Sequence, residues 1–196
     1  SAQTLYTLNG GSPVAFSPDS HTVAYTVGFN QLVLADARSG ESLPIPPVPC
    51  PAMKALAFSP DGETMAIGGD SCDLQIYDVH TGTMIRNLSQ VPGNEYLSLD
   101  TLSYSPNGKM LALFGYWLKI IDAQTGEKIL GDDTGYGNHK IAFSPDGRYL
   151  VVSGYGGYTE KDVIQVRDVR SQQIVFNIST LQDEIRNLAF GSDNRT

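Results

Sequence analysis

Apolar side chains recur at alternate positions in short runs, and four of those runs end in the same polar turn. Leu56 and Phe58 precede Ser59-Pro-Asp-Gly62; Val14 with Phe16, Leu102 with Tyr104, and Ile141 with Phe143 precede Ser17-Pro-Asp19, Ser105-Pro-Asn-Gly108 and Ser144-Pro-Asp-Gly147. Leu188 and Phe190 lead into a degraded copy, Gly191-Ser-Asp-Asn194. A period of two predicts a strand with one buried face, here strand a of a recurring unit. Seven residues after each aromatic a second apolar run opens at Val23, Met65, Leu111 and Leu150, giving strand b. Strand c then alternates to an aspartate: Leu32, Leu34, Asp36; Leu74, Ile76, Asp78; Leu118, Ile120, Asp122; and Ile164, Val166, Asp168. A second turn follows, ending in Gly40, Gly82, Gly126 and Gln172, before a weaker strand d such as Met84 to Leu88 or Ile174 to Ile178.

Successive aromatics of strand a lie 42, 46, 39 and 47 residues apart. A unit of that length with four strands and no helical periodicity is the sequence signature of a radial array of blades. Radial repetition hides the sheet edges that an isolated four-stranded sheet would expose. In the first turn Pro presets φ at the second position, Asp is tolerated at the third, and Gly supplies the permissive backbone before strand b. The expected fold is an all-β propeller.

The same residues carry a family resemblance. The unit Ala-Phe-Ser-Pro-Asp-Gly, then Leu or Met followed by Ala, a strand closing on Asp, and Thr-Gly after two intervening residues resembles the WD40 repeat. It extends over four units, roughly 13–180. The Trp-Asp pair of that family stands here as Ala35-Asp36, Tyr77-Asp78, Ile121-Asp122 and Arg167-Asp168, and its Gly-His pair is absent apart from Asn138-His139. The resemblance implies WD40-like four-stranded blades, four of them complete (approximately 13–48, 52–90, 99–131 and 139–180), within a single propeller domain over 1–196. Partial blades flank them as lone strands at 4–8 and 186–191. WD40 rings are commonly closed by a blade built from both chain ends, yet strands b and c of such a blade are missing. The expectation is therefore an open arc of a larger ring of about seven blades, completed by further blades in cis or in trans.

Composition narrows the partners. The 196 residues are 41% apolar, and no apolar run reaches the roughly eighteen residues that a membrane helix needs. One folded domain without membrane insertion is expected. Thirteen Lys and Arg against twenty-one Asp and Glu leave a formal charge of −8. Nucleic acid, whose phosphates demand Lys and Arg, is not an expected partner.

Spacing indicates where a partner would bind. The a-to-b interval is constant, whereas the b-to-c interval runs 9, 9, 7 and 14 residues. In an up-and-down blade the b–c and d–a connections share one rim, so one rim is constant and the other is free to specialise. Tyr96, Tyr116, Tyr136, Tyr155 and Tyr158 all fall in connections of the variable rim. Exposed Tyr supplies stiff contact area with a polar tip, which makes these five the candidate partner-binding residues. The competing reading is that these Gly-rich loops pack on themselves. Trp117, at the start of a strand c, is expected to pack between blades.

Chemistry-bearing motifs were sought along the same frame. Neither Gly-x-Ser-x-Gly nor a P-loop occurs, and Gly154-Tyr-Gly-Gly157 follows a strand without opening a helix. His21, His80 and His139 belong to different units, so a three-His metal site is not expected. Asp132-Asp133 lacks the alternating spacing of a Ca²⁺ loop and reads as a solvated acidic turn. The aspartates closing strand c are expected to bond the turn that follows. Charges where strand a begins (Lys54, Asp100, Lys140, with Arg186) are scattered rather than clustered. No catalytic residue, metal or cofactor is expected. The resemblance implies a non-catalytic protein-protein interaction module, a scaffold or sensor segment; the alternative is an enzymatic or small-ligand-binding propeller that uses its central channel.

Cys50, in a Pro-rich d–a connection, and Cys72, in the b–c hairpin of the same blade, share the variable rim, so they are free to pair in a disulfide or to stay as thiols. Asn87, Asn177 and Asn194 begin Asn-x-Ser/Thr sequons, which with that pair would suit a secreted chain. The N-terminal SAQTLYTLNGG lacks the charged and apolar regions of a signal peptide. WD40-like proteins are mostly intracellular, so the resemblance implies a cytoplasmic setting, with a secreted one as the alternative.

Overall fold

The computed structural model describes residues 7, 9–28, 30–70, 72–88, 98–115, 117–132, 140–155, 162–179, 188, 190 and 191. They form sixteen strands in four antiparallel sheets, each in sequential order. Blade one is β1 (Gly11–Phe16), β2 (Thr22–Val27), β3 (Gln31–Asp36) and β4 (Ser42–Leu43); blade two is β5 (Met53–Phe58), β6 (Thr64–Gly69), β7 (Cys72–Asp78) and β8 (Met84–Asn87). Blade three is β9 (Leu99–Tyr104), β10 (Met110–Gly115), β11 (Leu118–Asp122) and β12 (Lys128–Asp132). Blade four is β13 (Lys140–Phe143), β14 (Tyr149–Tyr155), β15 (Asp162–Asp168) and β16 (Ile174–Ser179).

One register repeats throughout. Phe16 pairs with Val23, Phe58 with Met65, Tyr104 with Leu111 and Phe143 with Leu150. Each b-strand residue in turn faces the position before the strand-c aspartate: Ala35, Tyr77, Ile121 and Arg167. The second strand starts one residue earlier than the apolar run, at Thr22, Thr64, Met110 and Tyr149, because the backbone of that residue already pairs.

The core lies between blades rather than within them. Ala24, Leu32 and Leu34 of blade one meet Leu56, Phe58, Met65 and Ile67 of blade two. Leu74 and Ile76 meet Leu102, Leu111 and Leu113. Ala112, Leu118, Ile120 and Leu130 meet Ile141, Phe143, Leu150 and Val152. Every interior blade is thus apolar on both faces, and burying each Leu, Ile or Phe there contributes about 1.5–3 kcal/mol. The inner strands β1, β5, β9 and β13 pack each on the next, while β13 is not packed on β1 in that way. The four blades form an open arc.

Most of the two expected terminal strands lies outside the described residues; Thr7, Leu188 and Phe190, which are described, belong to no strand. No helix among the described residues is long and apolar enough to cross a membrane.

Candidate functional site

The two rims differ in construction. On the constant rim each a–b turn is closed by a buried serine. The Ser17, Ser59, Ser105 and Ser144 hydroxyls donate to the carboxylate or amide oxygen two residues on, at 2.5, 2.5, 2.8 and 2.6 Å. The same hydroxyls accept the backbone N–H of Thr22, Thr64, Met110 and Tyr149 at 2.8–2.9 Å. Three of these turns end on glycine in the left-handed region, Gly62, Gly108 and Gly147, with φ of 76°, 70° and 71°. Each glycine also faces the turn of the preceding blade: a Cβ built there would lie 3.7, 3.6 and 3.5 Å from the Cδ of Pro18, Pro60 and Pro106. The row of turns is continuous from blade to blade.

The strand-c aspartates complete this rim. Asp36, Asp78, Asp122 and Asp168 accept the backbone N–H of Ser39, Thr81, Thr125 and Ser171 at 2.7, 2.7, 2.7 and 2.9 Å. Those bonds hold all four carboxyls below their ordinary range. Asp19 is lowered to about 2, chiefly by the Ser17 hydroxyl and then by the His21 backbone N–H. Arg148 donates to Asp168 at 3.0 Å and lies over the Tyr149 ring. Every aspartate of this series is bound to its own turn, as the sequence leads one to expect.

The variable rim carries the exceptions. Cys50 and Cys72 are joined, tying the connection into blade two to its b–c hairpin across a separation of 22 residues. Beside them Lys54 bridges Asp70 at 2.7 Å and Asp100 at 3.2 Å, and the Ser98 hydroxyl donates to Asp70. Asp70 holds the Lys54 ammonium up, and Lys54, then Ser98, hold the Asp70 carboxyl down. Lys54 and Asp100, distant along the chain, are therefore gathered with Asp70 into one cluster joining blades two and three. Glycine makes the crossing of the connections here feasible, since a Cβ on Gly69 would sit 1.9 Å from the Ala52 carbonyl oxygen and one on Gly115 1.5 Å from that of Ser98.

Of the candidate tyrosines, Tyr96, Tyr116, Tyr136 and Tyr158 lie outside the described residues. Tyr155 is the last residue of β14 and pairs with Asp162, so the long insert of blade four begins as an extended hairpin instead of a loop. Trp117 departs from expectation. It precedes β11 in the tight hairpin and is 41% exposed, because one residue before the strand the chain has already left the interblade core. Exposed Trp on a variable rim is an anchor of the kind that dominates protein interfaces, and its exposure adds it to the candidates. Lys54 and Asp100 were also legible in principle: both stand four residues before a repeat aromatic, which places them side by side on neighbouring inner strands. No group of three or more metal-ligating His, Cys, Asp or Glu occurs among the described residues.

A family model, the WD domain G-beta repeat, matches residues 50–78, from the connection bearing Cys50 to the aspartate closing β7. This chain is a WD40-like β-propeller. The propeller superposes on Kuenenia stuttgartiensis hydrazine synthase with a TM-score of 0.77 and 19% identity, over 98% of this chain and 56% of that one. Identity at that level shows the fold alone, and this propeller spans little more than half of the neighbour's length. No curated protein sequence matches it significantly.

Proposed function

We propose that this propeller is a non-catalytic protein-protein interaction module that engages its partner through the b–c and d–a rim. The observation that carries the reading is the division of the two rims. One is consumed by repeated hydrogen-bonded turns, while all variation in strand spacing and the exposed Trp117 fall on the other, to which the sequence frame also assigns the candidate tyrosines. WD40 repeats generally mediate such contacts. Tyr155 and Tyr158, with Tyr96, Tyr116 and Tyr136, would supply the contact area over blades three and four.

A second reading has one observation in its favour. The Lys54, Asp70 and Asp100 cluster sits where the inner strands begin, as a channel-binding or enzymatic propeller would require. Its charges already satisfy one another, which supports a structural tie between blades instead. A single pull-down separates the readings. The Tyr155→Ala/Tyr158→Ala double variant is expected to fold normally and lose the native partner, while Lys54→Ala retains it. Undiminished capture by the double variant would sink the rim assignment, and loss with Lys54→Ala alone would move the site to the channel.

The Cys50–Cys72 bond supports an oxidising, extracytoplasmic compartment over the cytoplasmic setting implied by the resemblance. Thiol labelling of the unreduced native protein tests this part of the proposal: ready modification of both cysteines returns it to the cytoplasm.

A further inference from the structure

The outer strand of blade one is cut short. β4 holds 2 residues, against 4 in β8, 5 in β12 and 6 in β16, and the chain then leaves the sheet as Pro44-Ile-Pro-Pro-Val-Pro-Cys50. From Leu43 to Cys50 every residue is a proline or stands before one. Proline fixes φ near about −65°, and the residue before it is driven to extended backbone. Such a run takes the polyproline II form, which turns once in about three residues. Burial follows that period. Ile45 and Val48 pack on the core shared by blades one and two, while Leu43 with Pro46, and Pro44 with Pro47, form two further ridges that are exposed. A strand, with its period of two, would have put residues 45 and 47 on one face.

The ribbon is fastened at both ends. A Cβ on Gly82 of blade two would lie 2.7 Å from the Ile45 side chain and 2.8 Å from the Pro46 ring. The Cys50 N–H donates to the Val48 carbonyl at 2.9 Å, which turns the chain inward at Pro49, and Cys50 is joined to Cys72. No charged residue lies between Glu41 and Lys54, so the ribbon offers shape and apolar contact rather than charge. We infer that Leu43, Pro44, Pro46 and Pro47 form a docking ridge for a partner domain whose groove is lined by aromatic rings. Pro44-x-x-Pro47 has the spacing that such grooves bind. A groove can touch two of the three ridges of this helix, and the third is here already turned to the core. Because the fold fixes the ribbon beforehand, binding loses little further backbone freedom. The ribbon belongs to blades one and two, so this inference stands apart from the tyrosines assigned to blades three and four.

Biolayer interferometry of the intact 196-residue chain over an array of immobilised SH3 and WW domains tests it. At least one domain is expected to bind saturably. Pro44→Ala/Pro47→Ala should weaken that binding by about tenfold or more, with an unchanged far-ultraviolet spectrum. A synthetic peptide of residues 42–49 should bind the same domain more weakly than the intact chain. In that peptide, where folding plays no part, the double substitution should again weaken binding, and Ile45→Ala should leave it unchanged. No saturable binding anywhere on the array overturns the inference, as does binding that the double variant retains in chain and peptide alike. A peptide that binds as tightly as the chain overturns the role of the fastened ribbon.

Discussion

Ser20 and Gln172 occupy turn positions where the other blades use glycine. Both adopt φ of 62°, matching the left-handed Gly62, Gly108 and Gly147 in one turn and Gly40, Gly82 and Gly126 in the other. That conformation costs a side chain about 1–2 kcal/mol, offset in part by the greater unfolded-state freedom of glycine. Ser20→Gly and Gln172→Gly should each stabilise the fold by about 1 kcal/mol, raising the thermal midpoint by about 2–4 °C; an unchanged or lower midpoint would contradict the account. Acid acts through the same turns. Asp19, Asp36, Asp61, Asp70, Asp78, Asp122, Asp146 and Asp168 all have folded pKa values below the ordinary 3.8, with Asp19 at about 2. The unfolded chain takes up these protons first, so their contribution is present above about pH 4 and is lost as pH falls toward 2. Solvent screening keeps each contribution small. Urea midpoints are expected to fall steadily across that window, and a flat profile would show that the turn hydrogen bonds do not distinguish folded from unfolded carboxylates.

At the scale of the element, strand order and register were legible because the a–b and c–d turns leave repeated marks: a fixed interval, a proline, a left-handed glycine, an aspartate. The connections on the other rim leave none. Trp117 departs from interblade packing because the b-to-c interval is shortest in its blade, and one residue of register separates an interblade side chain from an exposed one. Lys54 and Asp100 stand one repeat apart in the same register and were legible as neighbours, whereas Asp70, which completes the cluster, lies in the b–c hairpin that the repeat does not fix. The cysteine pair lies between these cases, since topology put both residues on one rim of one blade but could not join them. The Cys50–Cys72 bond closes a loop across 22 residues, for which chain entropy predicts about 3 kcal/mol of stabilisation. Reduction should lower the denaturation midpoint accordingly; no change would mean that the Pro-rich connection is held by Val48 and Met53 packing alone.

For the whole molecule, the repeat count was readable and the open ends followed from it. Val14 and Phe16 are as apolar as Leu56 and Phe58, and only the structure separates the buried pair from the exposed one. The variable rim is legible as position and not as shape, because length variation marks where the fold tolerates change without saying what surface results.

Successive first turns keep one spacing. A Cβ built on Gly62, Gly108 or Gly147 would lie 3.7, 3.6 or 3.5 Å from the Cδ of Pro18, Pro60 or Pro106, an ordinary van der Waals distance. Each joint therefore leaves room for one methyl group between a proline ring and the next blade's turn, and what opposes a side chain at those glycines is their left-handed backbone rather than crowding by the neighbouring blade.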